Sequence, residues 1–244
     1  MVVSLTPNKY GPFYVWDFPK NGKDYIVGAD VAEGKAVTDD PQAGSSGRDW
    51  SAACVLERKS GDLVAGFLDQ LPSNAYAEEL YNIGTWYNEA LVAVEVNSVG
   101  VSTVHTLNAA SYPNMYMPPD RKIGAHDYLG LKLGWVTSRT TRPLLIDAIR
   151  EALMAGFQIP WITLLEQLES METDPRTGNP GAPYGMHDDI VMAYGIALCA
   201  RQESLVDGQD RQRDYDSRLS PDTRKIFRLL AKEIANWEEE PENE

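Results

Sequence analysis

Acidic residues occupy three places in this 244-residue chain where an apolar segment would normally carry no charge. They are Asp30 at the end of the run 25–29, Glu95 inside the segment 91–96, and Asp188 and Asp189 before the segment 190–200. Burying an unpaired carboxylate costs several kcal/mol, so acids in such positions need a cation nearby. Since few basic residues lie in these segments, the favoured partner is a hard divalent ion, Mg²⁺ or Mn²⁺ rather than Zn²⁺. These positions therefore predict a carboxylate metal site.

Each acid also has a purely structural interpretation, which the residues alone leave open. Asp30 could stabilise a tight turn, and Glu95 could face solvent on an edge strand. Asp188 or Asp189 could cap the N-terminus of a helix, which is a common use of aspartate. The order of the acids along the chain, more than any single one, favours a catalytic function.

A layered arrangement of strands and helices must position these acids. Apolar periodicity and turn signals predict strands 25–30, 49–57 and 63–68 as a meander, helix 73–88, strand 91–96, helix 99–110, a short strand at 115–117, and helices 141–155, 162–171 and 190–200. The helix between two strands implies a parallel strand pair. The Gly- and Pro-rich segments 34–47 and 174–185 predict loops.

Composition divides the chain into three predicted parts. Residues 1–23 contain three prolines and are predicted to form a linker or arm rather than a regular element. Residues 24–201 are predicted to form one globular domain. Residues 202–244 are predicted to be an acidic extension with one amphipathic segment at 225–237.

Composition also excludes several classes of protein. A hydrophobic fraction of 43% suits one folded domain and excludes a disordered chain. No apolar run approaches the roughly 20 residues of a membrane span, and the N-terminus lacks a signal-peptide pattern, so the expected compartment is the cytoplasm. Cys54 and Cys199 show no disulfide or zinc spacing and are predicted to be small buried residues. The net charge of −14 argues against a protein that coats nucleic acid through bulk charge.

Five sequence motifs together resemble the C-terminal nuclease domain of tailed-phage large terminases, a member of the ribonuclease H-like superfamily. They are GADVAEG at 28–34, GRDWSAACVLE at 47–57, VAVEVNSVG at 92–100, GWVTSRTTRPLLIDAIREAL at 134–153 and HDDIVMAYGIAL at 187–198. The resemblance spans about residues 24–201, and the last two motifs are the most specific. It implies an α/β fold with a mixed central sheet flanked by helices.

The resemblance further implies a metal-dependent endonuclease that cuts concatemeric double-stranded viral DNA during genome packaging. By position, the implied catalytic acids are Asp30, Glu95 and Asp189, with Asp188 as a further metal ligand. Two Mg²⁺ or Mn²⁺ ions roughly 3.5–4 Å apart would activate water and stabilise the leaving oxygen. The implied partners are the terminase ATPase domain, the small terminase subunit and the portal, in the cytoplasm of an infected bacterial host.

The sequence departs from complete large terminases because it contains no G-x-x-x-x-G-K-[ST] phosphate-binding loop. The chain is therefore interpreted as the nuclease portion alone, beginning within the interdomain linker. The segment 34–48 lengthens the connection between the first two strands, and Asp49 is predicted only as a residue around the site.

A basic segment at 120–142 has five Lys and Arg residues against two Asp, an excess of three positive charges in a chain of net charge −14. Such a cluster could be an ordinary solvated face. The family resemblance places a DNA-contacting hairpin in this region, which implies that Lys132, Arg139 and Arg142 bind phosphates without sequence preference.

Two alternative functions remain open on sequence alone. A junction resolvase or transposase-type nuclease on the same fold would share the acids but differ in DNA substrate. A non-catalytic docking module of the packaging motor would retain the fold and show no cleavage.

Overall fold

The structure is a computed structural model that describes residues 6, 8–32, 50–96, 99–118, 133–173, 178, 180–183 and 185–218, with side chains up to residue 205. The chain forms two compact units, which meet in sequence between Arg201 and Gln202. No helix among the described residues is long and apolar enough to cross a bilayer.

A five-stranded mixed sheet forms the centre of the first unit. Its strands are β1 (Phe13–Val15), β2 (Tyr25–Asp30), β3 (Ser51–Glu57), β4 (Leu63–Asp69) and β5 (Leu91–Val94). Their order across the sheet is β1-β4-β3-β2-β5. The β2–β3–β4 meander is antiparallel, as predicted, and β5 runs parallel to β2. The parallel pair requires a helical crossover from β4 to β5, which agrees with the predicted strand–helix–strand order.

Five helices are described. They are α1 (Ser73–Trp86), α2 (Gly100–Ala109), α3 (Arg142–Ala155), α4 (Ile162–Ser170) and α5 (Asp189–Arg218). Pro143 lies in the first turn of α3, where its missing N–H would have no helical partner. Gly156 ends the same helix at φ 77°, a left-handed conformation that glycine adopts without strain.

The sheet separates two hydrophobic cores. On one face, Ile26 and Ala93 pack with residues of α3, α4 and the buried part of α5. On the other face, Val27 and Val92 pack with residues of α1 and α2. Successive side chains of a strand point to opposite faces, so the alternation within β2 and β5 decides which residues face α5. By this alternation, Asp30 and Glu95 lie on the same face of the sheet as Ile26 and Ala93, which is the face that packs against α5.

Helix α5 approaches β2 more closely than any side chain larger than hydrogen would allow. A Cβ atom on Gly28 would lie 2.2 Å from the carbonyl oxygen of Ala193 and 2.3 Å from the backbone nitrogen of Ala197. These are main-chain atoms, which cannot rotate away as a side chain would. Gly28 therefore fixes the separation between the sheet and α5.

The prediction that residues 1–23 form no regular element is wrong for residues 13–15. Phe13–Val15 form β1, which pairs antiparallel with β4 along its open edge. Pro12 lies just outside the strand, and its carbonyl accepts a hydrogen bond from the backbone N–H of Leu68 at 3.0 Å. Prolines flank this strand rather than interrupt it, so they do not prevent the pairing.

Three further local expectations differ from the structure. The segment predicted as a loop at 174–185 contributes β7 (Pro180–Gly181), which pairs with β6 (Glu172–Thr173). The last helix continues to Arg218, well beyond the apolar segment that predicted it. The predicted strand at 115–117 makes only an isolated bridge, between Met115 and Val92 of β5.

Candidate active site

Register within the sheet brings Asp30 and Glu95 together. Ala29 of β2 pairs with Val94 of β5 in the parallel register. The residues that follow them, Asp30 and Glu95, therefore lie side by side at the same end of the two strands. The backbone N–H of Glu95 donates to the carbonyl oxygen of Ala29 at 2.8 Å, which extends this pairing. The two carboxyl groups are close enough for Glu95 to raise the pKa of Asp30. Glu95 is only 4% exposed, which excludes the solvent-facing alternative.

Helix α5 brings Asp188 and Asp189 to the same place. Its N-terminal end is fixed by Gln167 of α4, whose Oε1 accepts hydrogen bonds from the backbone N–H groups of Ile190 at 3.1 Å and Val191 at 3.4 Å. An amide side chain here satisfies helix donors that would otherwise lack a partner. The two aspartates are close enough to Asp30 for their charges to act on its carboxyl group.

Burial and the neighbouring acids change the pKa of Asp30. Burial raises the pKa of Asp30 well above the ordinary aspartate value, and the hydrogen bond and charge of Glu95 raise it further. The charges of Asp189 and Asp188 add to the same shift. Burial and like charges both disfavour the ionised form. Without a cation, the carboxylates of the site repel one another, and a cation would relieve this repulsion.

Two of the acids contact cationic or titratable side chains. The guanidinium of Arg142, at the start of α3, forms an ion pair with Asp188. The Nδ1 atom of His187 lies 3.2 Å from Oδ2 of Asp189. Asp188 and Asp189 thus have different partners although they are adjacent in sequence.

As they stand, no three His, Cys, Asp or Glu side chains in the described part of the chain form a group that could enclose a metal ion. Asp188 is paired with Arg142, and Glu95 raises the pKa of Asp30. The donor chemistry nevertheless fits a hard cation, because the donors are carboxylates and their mutual repulsion would be relieved by one.

Asp30→Asn is expected to raise the melting temperature of the metal-free protein at pH 7 by about 3 °C or more. The folded-state pKa of Asp30 lies above its unfolded value, so this group stabilises the fold below the unfolded pKa. That stabilisation is lost as the pH rises through the folded pKa. Asparagine carries no charge and avoids the loss.

Thermal unfolding followed by circular dichroism in EDTA, over a pH series, measures this effect. The parent and the variant should converge as the pH falls and diverge towards neutrality. A lower melting temperature for the variant at pH 7 would contradict the prediction and indicate that Asp30 has a stabilising role in the fold.

The residues predicted to bind DNA have different positions. Arg139 is exposed in the turn that precedes α3. Arg142 is partly buried, and its Nε donates to the carbonyl oxygen of Pro180 at 2.8 Å in addition to the ion pair with Asp188. Lys132 lies outside the described residues, as does Asp49, the residue predicted around the site.

Sequence reasoning missed three residues that surround the acids. Trp135 is 1% exposed and forms a bridge with Glu95 on the side away from β2. Gln167 and His187 contact the start of α5 as described above. His187 is next to the two aspartates in the sequence and carried a signal, whereas Gln167 and Trp135 contact the site only through the tertiary fold.

The sheet and its flanking helices form an α/β fold of the ribonuclease H-like type, as the sequence motifs predict. A three-stranded antiparallel meander continues into a parallel strand, and acids lie at the end of β2, after β5 and at the start of the late helix α5.

Solved structures similar to this chain include nuclease domains of phage large terminases. The large terminase nuclease of thermophilic phage G20c superposes with a TM-score of 0.58 at 20% identity, over 81% of this chain and 93% of that chain. Its magnesium-bound structure gives a TM-score of 0.57 at 18% identity, over 81% and 92%. The large terminase nuclease domain of Thermus phage P74-26 gives 0.56 at 18% identity, over 80% and 89%. No family model and no curated protein matches the sequence.

Proposed function

We propose that this chain is a metal-dependent endonuclease that cleaves double-stranded viral DNA during genome packaging. The observation that carries the proposal is the convergence of Asp30, Glu95 and the start of α5 at one edge of the sheet. Four carboxylates from three separate elements repel one another, so their clustering calls for a functional reason. Perturbed acids in such a cluster are typical of functional sites.

In this proposal Asp30, Glu95 and Asp189 hold the divalent ions, and Asp188 is the fourth carboxylate of the site. Bound Mg²⁺ or Mn²⁺ supplies a nucleophilic water and neutralises charge on the phosphate, by the two-ion chemistry common to nucleases. Structures of the phage G20c nuclease with bound magnesium, cobalt and zinc support the use of a divalent ion.

The protein residues act by position and charge. Asp30 and Glu95 are fixed by the hydrogen-bonded register of β2 and β5, and Asp189 is fixed by the α5 terminus that Gln167 caps. The Nδ1 atom of His187 lies 3.2 Å from one carboxylate oxygen of Asp189.

The packaging role is supported by the named function of the structural neighbours, which are terminase nucleases. We propose that the substrate is the viral concatemer and that the partners are a terminase ATPase domain, the small terminase subunit and the portal, in the cytoplasm of an infected bacterium.

A plasmid-cleavage assay tests the proposed function. We expect nicking and linearisation of supercoiled DNA with Mg²⁺ or Mn²⁺, none in EDTA, and little with Ca²⁺, whose looser coordination aligns the attack poorly. Cleavage supported by Zn²⁺ but not by Mg²⁺ would contradict the assignment of hard-ligand chemistry.

The choice of DNA substrate separates the proposal from its alternatives. A strong preference for four-way junctions over linear duplex would favour a junction resolvase. Absence of cleavage with every divalent ion, in a folded protein, would favour a docking module.

DNA contacts are proposed for Lys132, Arg139 and Arg142. Arg139→Ala should weaken binding to all duplex sequences alike and reduce the salt dependence of binding by about one unit, because one phosphate contact is lost. Fluorescence anisotropy over a range of salt concentrations measures this slope, with Arg150→Ala, an exposed residue of α3, as the control. An unchanged affinity and slope would show that Arg139 lies outside the DNA path.

A further inference from the structure

Helix α4 has one side in the core and one side in solvent. Leu164 is fully buried, and Leu168 packs against the same core. The exposed outward positions are Ile162, Leu165, Glu166 and Glu169. Because residues three and four apart are neighbours on a helix, these positions form one stripe, about 10 Å long at a rise of 1.5 Å per residue. We call this set the α4 stripe.

The first half of the α4 stripe is apolar although it faces water. Ile162 is 70% exposed and Leu165 is 38% exposed. Tyr14 of β1, which is 44% exposed, contacts Trp161, the residue before Ile162, with the ring centres 5.5 Å apart. Trp161 itself is buried and lies over Gly66 of β4, where a Cβ atom would come within 2.3 Å of the indole ring. The exposed apolar side chains therefore adjoin an aromatic ring that is packed against the sheet.

The second half of the α4 stripe is acidic, at the end of the helix that favours cations. Glu166 and Glu169 are three residues apart and repel each other. Glu169 lies in the last turn, which contains no basic residue, although the helix dipole favours positive charge there. In the described part of the chain neither carboxylate forms an ion pair. These charges lower the stability of α4, and a positively charged neighbour would offset the loss.

The surrounding sequence supplies no such neighbour. Residues 151–175 contain five acidic residues and no Lys or Arg. Sequences that break a local rule for stability are expected to do so at functional positions. Exposed apolar side chains beside uncompensated acids are such a case.

The chemistry of the α4 stripe restricts what could cover it. DNA phosphates and anionic lipid headgroups have the same sign of charge as Glu166 and Glu169, so they would be repelled. A second copy of the same stripe offers no positive charge. A helix with apolar residues one turn apart, followed by Lys or Arg, would bury Ile162 and Leu165 and neutralise both acids, since two packed helices match side chains at this spacing.

We propose that the α4 stripe, together with Tyr14, is a docking surface for a basic amphipathic helix of another protein. The proposal concerns binding alone and does not depend on the metal chemistry of the proposed function. The same helix carries Gln167, whose side chain accepts hydrogen bonds from the start of α5. A partner on the α4 stripe would therefore contact an element that supports the acidic site.

Binding of a labelled amphipathic helical peptide built from Leu, Ala and Lys, measured by fluorescence anisotropy, tests the proposal. The parent protein should bind it at least about tenfold more tightly than a scrambled peptide of the same composition, because only the first has a continuous apolar face. Ile162→Ser with Leu165→Ser, and Glu166→Gln with Glu169→Gln, should each weaken binding about tenfold. Absence of binding to the parent, or equal binding of both peptides, would overturn the proposal.

Matched variants elsewhere on the surface separate the stripe from the general acidity of the chain. Glu78→Gln with Asp147→Asn removes the same charge from exposed positions of α1 and α3. Leu153→Ser with Met154→Ser removes exposed apolar groups from α3. Both should change peptide affinity by no more than about twofold. Losses as large as those of the α4 variants would overturn the proposal.

Thermal unfolding without peptide distinguishes a docking role from a structural one. Glu169→Lys should raise the melting temperature by about 1 °C or more, because it reverses the unfavourable interactions with the helix dipole and with Glu166. The same variant should weaken peptide binding. A lower melting temperature would show that Glu169 stabilises the fold, and would overturn the proposal.

Amide chemical shifts of nitrogen-labelled protein locate the bound peptide. The perturbed amides should cluster at Ile162–Ser170 and around Tyr14. Perturbation centred on Asp30 and Asp189 would overturn the proposal, because the peptide would then occupy the acidic site. A concentration-dependent dimer that Ile162→Ser with Leu165→Ser abolishes, seen by light scattering, would assign the stripe to a second copy and also overturn it.

Discussion

Asp30→Asn and Asp189→Asn should each reduce DNA cleavage at least about 100-fold while the protein remains folded. Asparagine preserves the shape of the side chain but removes the negative charge that holds a divalent ion. The effect should be large for both residues, because the charges of Glu95, Asp188 and Asp189 all act on Asp30 and Asp189 is the first residue of α5.

The initial rate of supercoiled plasmid nicking at saturating Mg²⁺ is the appropriate measurement, with circular dichroism to verify folding. Asp147→Asn provides a matched control, because Asp147 is an exposed aspartate on α3 that pairs with Arg150. Parent-like cleavage by either site variant would remove that residue from the catalytic set.

Gly28→Ala should reduce the free energy of unfolding by about 3 kcal/mol or more, since overpacking at this position pushes against a helix backbone. The added methyl group would lie 2.2 Å from the Ala193 carbonyl oxygen and 2.3 Å from the Ala197 nitrogen. Either α5 must move from the sheet or β2 must bend. Both movements would separate Asp189 from Asp30, so cleavage should fall together with stability.

Urea unfolding followed by circular dichroism measures the stability change. Gly11→Ala is the control, because a Cβ atom there would meet only Asn8, at an ordinary contact distance of 3.6 Å. A loss below about 1 kcal/mol for Gly28→Ala would mean that α5 can shift at little cost and that the close approach is not obligatory.

The elements that could be predicted from sequence are those specified by local patterns. The strands β2 to β5 and the helices α1 to α4 follow from apolar periodicity bounded by turn residues, and the structure confirms them to within a few residues. Pro143 correctly marked the start of α3. The fold class was also predictable, because the motifs contain both the strands and the acids that follow them.

The remaining elements depend on contacts that are distant in sequence. The pairing of β1 with β4 joins residues 13–15 to residues 65–67, and nothing local in a Pro-rich segment indicates it. The last helix extends past its buried part into polar sequence, where apolar periodicity gives no information. The β6–β7 pair has only two residues in each strand, too few for any period to be visible.

The acidic site was predictable only in part for a similar reason. Sequence position indicated which acids stand at the ends of apolar elements, and their roles as metal ligands stay a prediction. The partners of those acids come from elsewhere in the fold. Arg142 was predicted for phosphate binding, whereas in the structure it contacts Asp188, 46 residues away.

The outer sides of β4 and β5 are each paired with another segment of the chain, which has a consequence for self-association. β1 pairs along β4, and Met115 and Trp135 bridge to the outer side of β5 and its extension. An uncovered β4 would expose the apolar sequence LVAGFLD, with free N–H and C=O groups, as a template for another molecule. Removing residues 8–23 would therefore be expected to promote aggregation through strand pairing, even though the four remaining strands and all of the acids would still be present.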